Sequence, residues 1–398
     1  MSTITQNKQG LKVLVTGSIL QLFLGILYVW SVFVLPVSKA LSWDVDNVKL
    51  TASFMLCFFV VGILIGGKLQ VKIGAQKVVL LGGLMLAFGM LATAFLTPKI
   101  AWLIYVTYGI IGGFGVGSGY NAVISSAQKW FPQNRGFATG VSVCAFGFST
   151  VIFAPLIELL IKQFELKNTL LILAAAFCVV VLALFRFIRL PDDTALAAAG
   201  APSAALLAKK QFTMTETIKT KEFYFIACSL MLGTAAFFIL NPSLKTFAID
   251  RDLSDSIGTV LVMLVGISNA LGRLGVPALS DKIGRERGAI TILLATCICA
   301  ILLSFVQGFA FMATVAVIAF CYGGYSGIYP VLTADYFGIK NVGSNYGAVM
   351  CGFAISALTF PIIISKINVD AAKFFTLASF ALIGMILIVI LLFKKQKN

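Results

Sequence analysis

Gly66-Gly67-Lys68-Leu69-Gln70-Val71-Lys72-Ile73-Gly74 and Val276-Pro277-Ala278-Leu279-Ser280-Asp281-Lys282-Ile283-Gly284 lie 210 residues apart and both end in Lys-Ile-Gly. Each follows a long apolar stretch, and in each a basic residue and a glycine make a tight turn into the next helix. A second echo follows the fourth and tenth apolar stretches: Tyr120 with Lys129-Trp-Phe-Pro-Gln-Asn-Arg-Gly136 matches Ser326 with Asp335-Tyr-Phe-Gly-Ile-Lys340, at an offset of 206. A repeat at about half of the 398 residues means that one structural unit occurs twice. Residues 191–222 form the one long polar interruption, so the expected division is 1–190, a central loop 191–222, and 223–398. Two such bundles are expected to hold a solute near the membrane midplane.

The composition says what those units are made of. Sixty per cent of the residues are hydrophobic and 11% charged, with a mean hydropathy of +1.01. Soluble domains carry about a quarter of charged residues. At about 20 apolar residues per crossing, twelve spans are expected, near 11–35, 48–70, 76–97, 101–127, 137–161, 168–190, 223–248, 257–280, 287–307, 309–334, 343–365 and 371–393. The expected fold is all-α and integral to the membrane, two pseudo-symmetric bundles of six helices. The first stretch is long and shows no small-residue cleavage site, which reads as a retained helix rather than a signal peptide.

The formal net charge of +15 is topological. Even-numbered loops, the central loop and both termini hold twenty cations, among them Lys8, Lys12, Lys68, Lys72, Arg135, Arg186, Arg189, Lys209, Lys210, Lys282, Arg285, Lys340 and Lys394. The odd loops hold nine: Lys39, Lys49, Lys99, Lys162, Lys167, Lys245, Arg251, Lys366 and Lys373. The positive-inside rule then places both termini in the cytoplasm and the chain in the cell membrane. No nucleic-acid partner is expected. There is no histidine, and the eight cysteines lie in apolar stretches without metal-ligand spacing. The expectation is therefore no metal, no cofactor and no catalytic residue; the cysteines read as packing residues. Gly113-Phe-Gly-Val-Gly-Ser-Gly119 sits inside an apolar span with no strand before it, so it reads as a close helix contact rather than a nucleotide loop.

Arg273 is the fixed charge deepest in any apolar stretch. It lies in Val260-Leu-Val-Met-Leu-Val-Gly-Ile-Ser-Asn-Ala-Leu-Gly-Arg273-Leu-Gly-Val-Pro-Ala-Leu-Ser280, which holds no carboxylate. A guanidinium stays charged at any physiological pH, and a charge at membrane depth costs from about 3 to more than 10 kcal/mol. A partner is required. It is either an anionic solute or a set of backbone carbonyls. Asn269, four residues earlier, shares the arginine's helix face and either orients the fork or bonds a neighbouring helix. Tyr28, Trp30, Phe33, Tyr120, Asn121, Tyr322, Tyr325, Ser326 and Tyr329 are candidates for the wall of a small-ligand pocket, each with core packing as its other reading. Asp281, Lys282, Arg285 and Arg287 read as a latch between helix ends.

The paired turn motifs and the long loop between two sets of six spans resemble the major facilitator superfamily. Within it, Tyr28-Val-Trp30-Ser-Val-Phe33, Gly119-Tyr120-Asn121, Lys129-Trp-Phe-Pro-Gln-Asn-Arg-Gly136, Gly272-Arg273 and Asn345-Tyr-Gly347 resemble the oxalate/formate antiporters and their monocarboxylate transporter relatives. The resemblance covers nearly the whole chain. It implies that Arg273 binds the substrate carboxylate and that Phe33, Tyr120 and Tyr322 stand at aromatic lining positions. The antiporters also carry a lysine eight residues after the Asn of Asn-Tyr-Gly, where this chain has Phe353. The animal monocarboxylate transporters carry an acidic residue where this chain has Asn269, and a lysine in the first span, where here only Lys12 stands at its start.

The expected function is secondary active transport of a small monocarboxylate by alternating access, proton-linked, by a monomer in the lipid bilayer. One fixed charge suits one carboxylate and leaves a dianion half-compensated. The alternatives are an oxalate/formate-type exchanger moving a counter-anion and, in another class, a non-transporting membrane sensor. The residues leave open lactate, pyruvate, acetate and formate, and symport or exchange.

Overall fold

The computed structural model describes residues 2–191, 211–241, 255–367 and 369–397. Expectations that fall on most of the central loop, with Lys209 and Lys210, and on the far end of the seventh span, with Lys245 and Arg251, lie outside the described residues. Among the described residues, the regular structure is entirely helical. Nine helical stretches among the described residues are long and apolar enough to cross a membrane, one of them holding both the fifth and sixth expected spans.

The first span is α1 (Ser2–Leu24) and α2 (Trp30–Leu41), joined by a tight 3-10 segment, Gly25–Val29. It is followed by α3 (Val45–Ile73) and α4 (Ala75–Thr93). The fourth span opens with a 3-10 turn and a π-helical segment, Tyr105–Gly112, before α5 (Gly113–Trp130). Gly74 ends α3 at φ 87° and Gly284 ends the eighth span at φ 96°. Both values lie where a Cβ is strained, so the glycine that closes each repeated motif is required by the turn it makes.

The fifth and sixth spans, expected as separate helices, are two helices meeting at a sharp break at Glu165, with φ 62° and ψ 170°, and are labelled together as α6 (Arg135–Leu184). A straight 50-residue helix would reach about 75 Å, well beyond the ~30 Å of bilayer hydrocarbon. The break returns the chain. Trp130, just before α6 begins, donates from Nε1 to the carbonyl of Arg189, just after it ends, at 2.6 Å. The rest of the chain forms α7 (Met214–Thr217), α8 (Lys221–Leu240), α9 (Asp255–Ile283), α10 (Arg285–Leu302), α11 (Gly308–Phe337), α12 (Val342–Ser365) and α13 (Asp370–Lys397).

The chain packs as two compact units. Unit 1 comprises 1–133, 145–211 and 339–347; unit 2 comprises 134–144, 212–338 and 348–398. The units thus follow the repeat except that each takes the opening turns of a helix, α12 or α6, from the other half of the sequence. In unit 1, α3 packs along α5, and Leu20, Val78, Val79, Val123, Val181 and Ile188 form a core between α1, α4, α5 and the end of α6. In unit 2, α9 packs along α11, the equivalent pair in the repeat, and Leu261, Ala300, Leu303, Phe311, Phe360, Phe374 and Leu377 form the core. The apolar faces left outside, such as Leu35, Val179, Met263, Phe305 and Phe309, are exposed, as lipid-facing surfaces are.

Candidate functional site

Arg273 sits on α9 and is 1% exposed, the largest of the fully buried side chains. Its Nε donates to Oδ1 of Asn269 one turn earlier, at 2.9 Å, and its Nη1 reaches the carbonyl of Val143 at 3.5 Å. Gly272 on α9 and Gly323 on α11 set these surroundings. A Cβ on the first would overlap the carbonyl of Phe320, and on the second the carbonyl of Asn269. The two backbones therefore run in contact beside the arginine. Taking a guanidinium out of water costs several kcal/mol after relaxation, so the bonds that hold it are required rather than incidental. Asn269 fixes the plane of the fork. A planar, permanently charged, oriented donor matches a carboxylate.

In the same unit, Tyr322 stacks on Phe237 with ring centroids 3.7 Å apart and planes 10° from parallel. Phe353 lies edge-on to Phe238 at 5.0 Å and 6.3 Å from Tyr322. The Ser326 hydroxyl donates to the carbonyl of Tyr322 at 3.4 Å. Tyr322 and Phe353 are thus brought together through Phe237 and Phe238, which the sequence reading missed. An adjacent phenylalanine pair in the seventh span was the available signal. The Tyr325 hydroxyl pairs with Thr296 at 2.8 Å and that of Tyr329 with Ser229 at 2.9 Å. Both rings are buried, so these hydroxyls tie α11 to α10 and α8.

In unit 1, Tyr28 and Tyr120 both meet Phe146 edge-on, at 5.5 and 4.9 Å. Phe33 joins a separate group with Trp30 and Tyr108, at 5.9 and 6.3 Å. Asn121 donates both amide protons to backbone carbonyls, Ile63 at 2.8 Å and Gly343 at 2.7 Å. That ties α3, α5 and the start of α12 together. Tyr108 is fully buried and its hydroxyl has no hydrogen-bond partner among the described residues; it lies in the π-helical segment, a distortion often found at functional positions. A buried, unpaired hydroxyl costs about 1–3 kcal/mol. Tyr108→Phe is therefore expected to stabilise the fold by about 1 kcal/mol and to leave transport unchanged, measured as the unfolding temperature of purified protein beside uptake in vesicles. A raised unfolding temperature with lost uptake would instead put this hydroxyl on the transport path.

Of the expected latch, Asp281 and Arg285 are engaged within unit 2, together with Asp335 and Arg135 rather than Lys282 and Arg287. The Asp281 carboxylate accepts from the backbone N–H groups of Gly136 and Phe137 at 3.1 and 2.9 Å, capping the N-terminus of α6, where the helix dipole favours an anion. Arg285 pairs with Asp281 and with Asp335, and Arg135 pairs with Asp335 at 2.8 Å. Its counterpart in unit 1 has no carboxylate at the matching positions. Val71 stands 210 positions before Asp281, and Asn121 binds Gly343 near the start of α12 instead.

The sequence profile described as Major Facilitator Superfamily matches residues 15–361 and 226–398. The chain belongs to this superfamily. It is a multi-pass membrane transporter rather than an enzyme. Among its relatives, it is 26% identical to an uncharacterised MFS-type transporter of Escherichia coli K12, over 85% of this chain and 84% of that one. It is 26% identical to monocarboxylate transporter 13 of Rattus norvegicus, over 84% of this chain and 74% of that one. It is 24% identical to the oxalate:formate antiporter of Oxalobacter formigenes, over 81% and 76%. The fold matches the proton:xylose symporter XylE with a TM-score of 0.71 at 13% identity, covering 96% of this transporter and 95% of that chain. It matches the human organic anion transporter MFSD10 with a TM-score of 0.71 at 14% identity, covering 95% and 99%.

Proposed function

We propose that this transporter carries a small monocarboxylate across the cytoplasmic membrane by alternating access, with Arg273 as the anchor of the carboxylate and both termini in the cytoplasm. The observation that carries the reading is Arg273 itself: a permanent charge, 1% exposed, whose fork is held in plane by Asn269. The relatives named as monocarboxylate transporters and oxalate:formate antiporter support the carboxylate class. Tyr322 and Phe353 supply apolar and aromatic surface for the short carbon chain, and Ser326 a hydroxyl near it. Within unit 1, Tyr28 and Tyr120, which share Phe146, and Phe33, packed with Trp30 and Tyr108, are the aromatic candidates, and Asn121 ties α3, α5 and the start of α12.

Proton linkage follows from charge. Arg273 cannot release a proton and Asn269 cannot carry one, so the proton enters with the carboxylate, and the neutral sum avoids work against the membrane potential. Uptake by empty proteoliposomes tests this. An inward proton gradient is expected to drive accumulation of lactate, pyruvate, acetate or formate with no anion inside. Uptake that appears only after the vesicles are loaded with oxalate or formate overturns symport in favour of exchange. No movement of any carboxylate under either condition overturns the transporter reading of the site.

A further inference from the structure

Unit 1 carries a cleft of about 190 Å3 that the carboxylate reading leaves unused. Gln9, Lys12 and Val13 of α1, Trp130 at the end of α5, and Phe187 and Arg189 after α6 line it. Three chain segments meet there. Trp130 holds the Arg189 carbonyl at 2.6 Å, and the Lys12 ammonium sits 4.0 Å from the centre of the Phe187 ring. The positive-inside rule accounts for cations at this end of the bundle, but not for their convergence on a concave pocket with an indole and a phenyl ring. None of the lining residues is acidic, so the occupant this chemistry favours is an anion.

The surroundings narrow the class. Val15 and Ile19 follow Lys12 at the three- and seven-residue spacing of one helix face, and they are 50% and 39% exposed. A ligand with its anion on Lys12 and Arg189 can continue in hydrocarbon along that face. An arginine fork and a lysine point charge together are a common way to hold a phosphate, and tryptophan and lysine are typical residues of the headgroup level. We propose that the cleft binds the phosphate of an acidic phospholipid, in the leaflet that the orientation proposed above puts on the cytoplasmic side, where anionic lipids concentrate. The lipid joins α1, α5 and the end of α6 from outside and is distinct from the solute anchored on Arg273.

The test uses the full chain purified in neutral detergent. Bound lipid is counted by native mass spectrometry during titration with dioctanoyl phosphatidylglycerol or dioctanoyl phosphatidylcholine. The wild type is expected to prefer the acidic lipid about 30-fold, the scale of two cations at a headgroup. The double variant Lys12→Gln, Arg189→Gln is expected to lose that preference, while Lys12→Arg, Arg189→Lys keeps it with an unfolding temperature like the wild type's. Glycerol phosphate and inorganic phosphate are expected not to displace the lipid. Equal binding of the two lipids, or a preference that survives the double glutamine change, overturns the proposal. Displacement by inorganic phosphate assigns the cleft to a soluble phosphate and overturns the lipid. The readout needs no transport and is repeated on Arg273→Lys, so an error about the solute cannot be mistaken for an error here.

Discussion

Arg273→Lys is expected to lower monocarboxylate uptake about 30-fold at unchanged expression and folding, the cost of losing one charge-assisted hydrogen bond of about 2 kcal/mol. The variant keeps the positive charge, so the electrostatic attraction survives. What it loses is the planar fork and the donor that Asn269 orients at 2.9 Å. An ammonium on a flexible stem has to find its geometry anew for each carboxylate and leaves Asn269 Oδ1 to pair elsewhere. Asn269→Ala removes only the orientation and is expected to have a smaller effect, chiefly on the apparent affinity. Counterflow in proteoliposomes measures both. A lysine variant that carries lactate or formate at near wild-type rate ends the anchor hypothesis, and a variant that fails to fold, seen by its elution in size exclusion, is replaced by Asn269→Ala as the deciding measurement.

What was legible in the sequence was what depends on spacing along one chain segment. The repeated turns were visible because Gly74 and Gly284 must adopt positive φ, at 87° and 96°, and nothing but a glycine does so cheaply. The Asn269–Arg273 pair was visible because four residues make one helix face. The aromatic partners were not. Phe237 and Phe238 meet Tyr322 and Phe353 only through the packing of α8 on α11 and α12, and no period in a single helix encodes that. The hydroxyls of Tyr325 and Tyr329 had both a pocket and a packing reading, and Thr296 and Ser229, which they meet, lie on other helices. The boundary between the fifth and sixth spans was legible too: the expected gap between 161 and 168 contains the break at Glu165, although neither glycine nor proline marks it. Asn121 looked like a polar group in an apolar wall. Its two backbone bonds, one of them to Gly343 more than 200 residues away, are long-range and invisible to local reading.

Phe353→Lys is expected to change the valence of the preferred substrate. Phe353 is 5% exposed, edge-on to Phe238 and near Tyr322, in the unit that holds Arg273. A lysine there adds a second fixed charge, and the ring faces around it stabilise an ammonium by about 2 kcal/mol when desolvated. In the wild type a dianion bound to Arg273 keeps one charge without a protein partner, a buried imbalance that costs several kcal/mol. In the variant that imbalance moves to the monoanion, which leaves the new ammonium uncompensated. Oxalate affinity relative to lactate or acetate is therefore expected to rise by at least about tenfold, and proton-driven monocarboxylate uptake to fall. Phe353→Leu separates charge from lost packing: it removes the ring, adds no charge, and should leave the selectivity ratio as it is. Competition of oxalate and lactate for counterflow, measured on the three proteins side by side, decides the matter. If the wild type already binds oxalate more tightly than any monocarboxylate, one buried charge does not set valence in this protein, and the oxalate/formate exchange reading takes over from proton-linked transport.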